Sequence, residues 1–413
     1  MVQSLLGLAA FPLIAWILSE NRRRVPVRIV AGGLLLQLVL AALLLEVPVF
    51  SHLFAGLNRI VLAIEEATRA GTTMVFGFLG GGPVPYEETI PGSTLTLAFR
   101  GLPIVLVMSA LSALLFHWRV LPVVVKGFSR VLERTLGIGG AEGLGVSANI
   151  FVGMVEAPLL VRPYLGAMTR SELFAIMSSG MAGIAGTVMV LYATILGGVI
   201  PDAMGHILTA SVLTAPASVL MAKLMIPETK PLTPGELATE SEARSAMDAI
   251  TRGTIQGIEL LLQIVGMIIV LVAFVQLVNI GLRLLPDVAG ATLTVQRLLG
   301  WVMAPVVWLV GVPWSECATA GSLMGTKTAI NEFIAYLDLA KLPPGELTER
   351  SRIIMLYAMC GFANPGSVGI MIGGMGAMAP ERRSEIVALG VRSLVSGTLA
   401  ACMAGAVAGL FIR

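Results

Sequence analysis

Two carboxylates carry most of the chemical information in this chain. Glu156 stands in GVSANIFVGMVEAPLLVRPYL (145–165) and Glu332 in AGSLMGTKTAINEFIAYL (320–337), both short, glycine-studded apolar stretches. A charge at bilayer depth costs at least about 2.5 kcal/mol, so such groups are rare and face a protein interior or a water-filled cavity. One in each half of the chain, each in an interrupted hydrophobic segment, is the pattern of a solute site near the membrane midplane. A structural buried carboxylate paired with Lys327 or Arg162 is the simpler alternative. A membrane-embedded enzyme for a lipid-linked or nucleotide substrate would need clustered acids, histidines or phosphate-binding groups at one face. Here the acids are singletons in separate segments, which favours a transporter over an enzyme or a channel.

Composition sets the medium around these groups. The 413 residues are 56% hydrophobic and 13% charged, with a mean hydropathy of +0.89; soluble domains carry about 25% charged residues. The net charge of +2 and the lack of a basic cluster with interleaved aromatics argue against nucleic-acid binding. Cys317, Cys360 and Cys402 lie singly in apolar segments and read as small buried hydrophobes. His52, His117 and His206 show no metal-ligand spacing.

Hydrophobic runs predict eight spans at about 3–19, 29–46, 101–118, 171–197, 205–225, 254–282, 352–375 and 385–411. The first lacks the basic start of a signal peptide and is expected to be retained. Arg22, Arg23, Arg24 and Arg28 place the first loop inside; Arg119, Lys126, Arg130 and Arg134, and later Arg382 and Arg383, do the same for two others. Both termini are then outside. The segments 57–70 and 121–136 read as interfacial helices, 71–100 as an irregular outer connection, and 227–250 as a hydrophilic cytoplasmic joint. Residues 141–168 must enter and leave from the cytoplasm, and 315–340 from outside, as opposed re-entrant hairpins. Non-helical backbone at that depth is tolerated only inside protein or along a cavity.

A weak internal repeat fits this layout. Tyr164-Leu165, Thr169 and the break SSGMAGIAG (178–186) follow the first hairpin. Tyr336-Leu337, Thr348 and the break CGFANPGSVG (360–369) follow the second. The expected fold is an all-α polytopic membrane protein with eight transmembrane helices and two opposed re-entrant hairpins in inverted repeats. Its parts would be 1–140 (peripheral spans and interfacial helices), 141–226 (first transport repeat), 227–314 (linker and scaffold span) and 315–413 (second transport repeat).

The motifs ANIFVG (148–153), EAPLLVRPY (156–164), LGWVMAPVVWLVGVPW (299–314), AGSLMGTK (320–327), NEFIAYL (331–337), CGFAN (360–364) and APERR (379–383) resemble those of the concentrative nucleoside transporter family, from about residue 100 to the end. The resemblance implies a homotrimer in a bacterial inner membrane that imports nucleosides on a sodium or proton gradient, with no other cofactor. It carries sugar recognition onto Glu332, Asn331, Asn364 and Ser367, with Phe362 near the substrate. In the first hairpin the family pattern Gly-Gln-Thr-Glu-Ala-Pro becomes Gly153-Met154-Val155-Glu156-Ala157-Pro158. Two apolar side chains replace an amide and a hydroxyl on the base side, which opens a different nucleoside-like or nucleobase solute as an alternative. The resemblance puts sodium at Asn149 and at the backbone of Val152 and Ile184, where Gly183 replaces the family's serine; a proton carried by Glu156 is the competing mechanism. Pro365-Gly366 also departs from the family's Leu-Ser.

Overall fold

The computed structural model describes residues 2–86, 96–235, 243–288 and 290–412, and among them it is helical with no β-strand. The elements are α1 (Val2–Ile17), α2 (Val27–Glu46), α3 (Pro48–Phe76), α4 (Ile104–His117), α5 (Val120–Leu136), α6 (Gly140–Ala148), α7 (Glu156–Leu159), α8 (Arg162–Leu165), α9 (Arg170–Ala182), α10 (Gly186–Leu196), α11 (Ala203–Met225), α12 (Ala246–Leu282), α13 (Val295–Val310), α14 (Cys317–Ala329), α15 (Glu332–Lys341), α16 (Glu349–Met359), α17 (Pro365–Met378) and α18 (Arg383–Phe411). Among the described residues, six stretches are long and apolar enough to cross a membrane: α2, residues 97–117, α9–α10, α11, α12 and residues 380–411. The shorter α1 and the divided α16–α17 complete the eight. The first hairpin is α6 with the short turns α7 and α8; the second is α14 with α15.

Local chemistry explains where the helices start. Thr169 accepts a hydrogen bond from the Glu172 amide (3.1 Å) while Glu172 accepts one from the Thr169 amide (2.9 Å), a complete capping box at α9. Thr348 accepts from the Ser351 amide at the start of α16 (3.3 Å). Such caps are worth about 0.5–2 kcal/mol each. The two threonines of the internal repeat therefore start corresponding helices.

The interior is formed by α9, α11, α16 and α18. Gly397 of α18 abuts Met181 and Ala182 so closely that a Cβ would strike their backbone; small residues at such crossings let helices approach. Gly361 (φ +145°) lies against the carbonyl of Ala182 in a conformation that suits glycine. In contrast, α12 is bare over most of its length, with Ile258, Leu262, Ile269, Phe274 and Leu277 exposed. Beneath the first hairpin, buried Lys223 sits 3.0 Å from Glu142 and 3.4 Å from Glu228. Glu172 accepts bonds from the Thr233 amide (2.8 Å) and hydroxyl (2.6 Å), tying the chain after α11 to the first turn of α9.

Three expectations need correction. The region 71–100 is not irregular throughout: α3 runs to Phe76, closed by Gly77 at φ +59° and by the Thr72 hydroxyl bonding the Gly80 carbonyl (2.8 Å). Residues 97–101 form a π-helical turn, and 87–95 lie outside the described residues. The breaks are also narrower than 178–186 and 360–369, covering 183–185 and 360–364, because Asn364 caps α17 and Pro365 fits its first turn. Finally, α13 is a sixteen-residue helix capped by Thr294 that the run of spans left unassigned.

Candidate functional site

A cavity of about 560 Å³ opens where both hairpins and both helix breaks meet, within the range of small-molecule sites. Met154, Val155, Glu156, Asn331, Glu332, Phe362, Asn364 and Ser367 all stand on its wall. Glu332 is the buried anchor at 4% exposure. Its Oε1 accepts from the Tyr192 hydroxyl at 2.6 Å and its Oε2 from Asn364 Nδ2 at 3.3 Å. A carboxylate offers about four acceptor positions, so capacity for solute hydroxyls remains.

The asparagines owe their placement to capping. Asn331 Oδ1 accepts the Ile334 amide (3.0 Å) at the start of α15. Asn364 Oδ1 accepts the Ser367 amide (2.9 Å) at the start of α17, which leaves Nδ2 for Glu332. The same residue thus ends the gap in the broken helix and orients the carboxylate.

The opposite wall is apolar. Met154 lies over Gly180 and Val155 against Gly374, at points where a Cβ on either glycine would collide with it. Val188, Leu191 and Met267 continue this surface. Glu156 faces the cavity, and its carboxylate is held by its own amide and that of Val155.

Several wall residues escaped the sequence reading. Tyr192, on α10, is the shortest contact of Glu332 and lies 140 positions away. Gln256, Glu259 and Gln263 of α12 also line the cavity. Their i, i+3, i+7 spacing on an apolar helix is a one-face signature that was present in the sequence.

A second polar spot lies behind the first hairpin. Asn149 closes α6 and is 3% exposed; neither polar atom of its side chain has a hydrogen-bond partner. Buried amides are normally paired, so an orphaned oxygen here suits a cation. Gly183 closes α9. A Cβ added to it would lie 3.4 Å from the Asn149 carbonyl oxygen, 3.6 Å from that of Ser179 and 3.9 Å from Thr214 Oγ1. Oxygens therefore surround position 183 even without its own hydroxyl, and hard cations take oxygen ligands. Thr214 is a donor the sequence reading did not include. Val152 lies in the turn after α6 and Ile184 within the break 183–185, and the Phe362 amide donates to the Gly183 carbonyl at 3.2 Å.

Lys327 forms no ion pair with either carboxylate: it is fully buried, and its ammonium has no hydrogen-bond partner. The three cysteines are buried free thiols, and no cluster of three or more metal-ligating side chains exists among the described residues.

Comparison with known proteins places this arrangement. The profile "Na+ dependent nucleoside transporter C-terminus" matches residues 206–409, its N-terminal counterpart residues 6–79, and a "Nucleoside recognition" gate profile residues 98–199. The nucleoside permease NupC of Helicobacter pylori is 33% identical over 99% of this chain and 97% of its own. Sodium/nucleoside cotransporter 2 of Rattus norvegicus is 33% identical over 97% of this chain and 62% of its own length. The solved structure of CNTnw in an inward-facing, substrate-bound state is 36% identical, covers 99% of this chain and 97% of that one, and superposes with a TM-score of 0.91. A variant of CNTnw in an outward-facing state gives 0.89 at 35% identity, covering 99% of this chain and 97% of that one. With its hairpins, its broken helices and this degree of likeness, the chain belongs to the concentrative nucleoside transporter family, whose members are transporters and not enzymes.

Proposed function

We propose that the protein imports nucleosides by alternating access, with sodium as the coupling ion. The observation that carries this reading is Glu332, a buried carboxylate on the cavity wall whose two oxygens are oriented by Tyr192 and Asn364. Such a group makes charge-assisted bonds to vicinal sugar hydroxyls and penalises analogues that leave it unpaired. Asn331 and Ser367 complete the sugar side, and the Phe362 ring borders the solute. Relatives solved facing inward and outward support a moving site. In this reading the repeats 141–226 and 315–413 carry the solute, and 1–140 with 227–314 frame them.

Sodium is favoured by the orphaned Asn149 amide and the oxygens around Gly183. Asn149, the backbone at Val152 and Ile184, and Thr214 would hold it. A proton carried by Glu156 is the competing choice. The bare apolar face of α12 supports burial against a second copy or lipid, consistent with a homotrimer. Bacterial relatives and the arginine-rich inner loops support an inner-membrane location with both termini outside.

A second reading rests on Met154 and Val155. Their apolar wall fits a solute whose base is selected by shape, including a hydrophobic or unusual nucleoside or a nucleobase. Uptake of radiolabelled nucleosides and nucleobases into proteoliposomes, with sodium and proton gradients imposed separately, tests both readings. Ribonucleoside uptake driven by sodium alone is the expected result. Uptake of none of the ribonucleosides, or uptake driven only by protons, overturns the corresponding part.

A further inference from the structure

We infer that Lys327 is a tethered counter-ion: its ammonium takes, in the second repeat, the position that a diffusible cation takes in the first, and it keeps Glu332 ionised when the solute site is empty. This rests on the assignment of Glu332 to the solute site.

Three cationic side chains are buried among the described residues, namely Lys223, Lys327 and Arg352. Lys223 has Glu142 and Glu228. Arg352 donates to the carbonyls of Leu342, Pro343 and Leu347. Lys327 alone has no hydrogen-bond partner. An unpaired buried ammonium is costly unless it compensates a charge nearby. Its electrostatic neighbours are Cys402, Glu332 and Cys360. No direct ion pair forms, but charges beyond ion-pair distance still interact away from water.

The inverted repeat supplies an independent argument. Around the proposed cation site of the first half, Asn149 ends the first hairpin helix α6, Gly183 ends the broken helix α9, and Thr214 lies within the following helix α11. In the second half, Lys327 lies in the last turn of the hairpin helix α14, Cys360 ends the broken helix α16, and Cys402 lies within the following helix α18. Two of the electrostatic neighbours of the ammonium, Cys360 and Cys402, thus lie on the two elements of the second repeat that correspond to those holding Gly183 and Thr214 in the first. Thiols are poor ligands for a free hard cation, which fits a repeat that carries its cation covalently.

The other titratable groups facing Glu332 cannot supply this charge. They are Tyr192 on α10, Tyr336 on α15, Cys360 on α16, and Glu156 and Glu259 across the cavity. Arg297, on the neighbouring helix α13, stacks over Trp301 instead.

Lys327→Met keeps much of the volume and removes the charge. Uridine binding to purified protein, at saturating sodium and at a series of pH values, reads the effect on Glu332. The wild type should vary little near neutral pH. In the variant, affinity should fall by up to about tenfold for each pH unit lowered, because the carboxylate takes up a proton. A variant profile parallel to the wild type overturns the inference. A ligand-free measurement separates this from the nucleoside assignment: the melting temperatures of Lys327→Met, Glu332→Gln and the double variant. The double variant should melt above the value expected from adding the two single effects, even if uridine is not the solute. Additive melting overturns the inference. If Lys327→Met does not fold, the double variant decides: recovery of folded protein supports the pairing, and its absence refutes it.

Discussion

Glu332→Gln is the sharpest test of the solute site. The substitution keeps shape and removes charge. The surroundings accommodate it: the amide oxygen can still accept from Asn364 Nδ2, and the amide nitrogen can donate to the Tyr192 hydroxyl, since that oxygen also accepts. The variant should therefore fold, at a lowered melting temperature. What it loses is strength toward the solute. Bonds to a charged group are worth about 1.5–3 kcal/mol and neutral ones about 0.5–1.5. Two sugar hydroxyls thus forfeit about 2–3 kcal/mol in total, or about 30- to 150-fold in affinity. Equilibrium binding of uridine to purified variant, alongside uptake into proteoliposomes, measures the loss, and uptake should be abolished at substrate levels that serve the wild type. The 2′- and 3′-deoxynucleosides should compete poorly with the wild-type substrate and lose this disadvantage in the variant. Binding within about threefold of wild type, less than 1 kcal/mol, would refute the placement of the sugar at this carboxylate.

The apolar wall should discriminate bases only by shape, about 1–3 kcal/mol per methylene-sized difference; sharp selection of uridine over isosteric analogues in competition assays would contradict this. Conversely, Met154→Gln with Val155→Thr should sharpen that selection. Gly183→Ser adds a hydroxyl among the oxygens of Asn149, Ser179 and Thr214 without close contacts, and should lower the sodium concentration for half-maximal uptake; no change, with uptake following pH in sodium-free buffer, refutes sodium coupling. In the loop after α1, Glu20 is held below the ordinary carboxylate range mainly by hydrogen bonding from Arg170, with Arg392 adding its charge. Its stabilising contribution is present above the ordinary carboxylate pKa and lost as pH falls through the lowered value. Glu20→Gln should therefore flatten the acid limb of a melting-temperature profile while leaving it unchanged in shape at alkaline pH.

Much of this site was legible because its parts are local. Glycine and proline mark the breaks, Thr169 and Thr348 mark the helix starts, and isolated carboxylates mark the hairpins, all within a few residues of chain. Tyr192 was not legible: nothing in GTVMVLYATIL distinguishes a packed tyrosine from one that meets Glu332 across 140 positions. Gln256, Glu259 and Gln263 were hidden differently, because averaging hydropathy over a span submerges a one-face stripe of three polar residues. The glycine- and proline-rich, polar character of 71–100 argued against continuing α3, which nonetheless runs to Phe76 and is closed by a local bond from Thr72 to Gly80. Thr214 is one of several hydroxyl residues in α11, with Thr209, Ser211 and Ser218, and its relevance depends on which neighbour lacks a side chain.

The bond from the Phe362 amide to the Gly183 carbonyl (3.2 Å) joins the interrupted helix of one half to that of the other. Residue 183 belongs to the oxygen-lined spot, while the ring of residue 362 borders the cavity. A shift in one backbone is thus inherited by the other without any side chain passing the message. Under the proposed site assignments, this makes solute choice and ion choice poor candidates for independent drift. A lineage that widens its base preference by moving Phe362 also displaces the Gly183 carbonyl, and must find a second change there. Laboratory selection for a new base should accordingly recover substitutions near 183 as well as on the cavity wall.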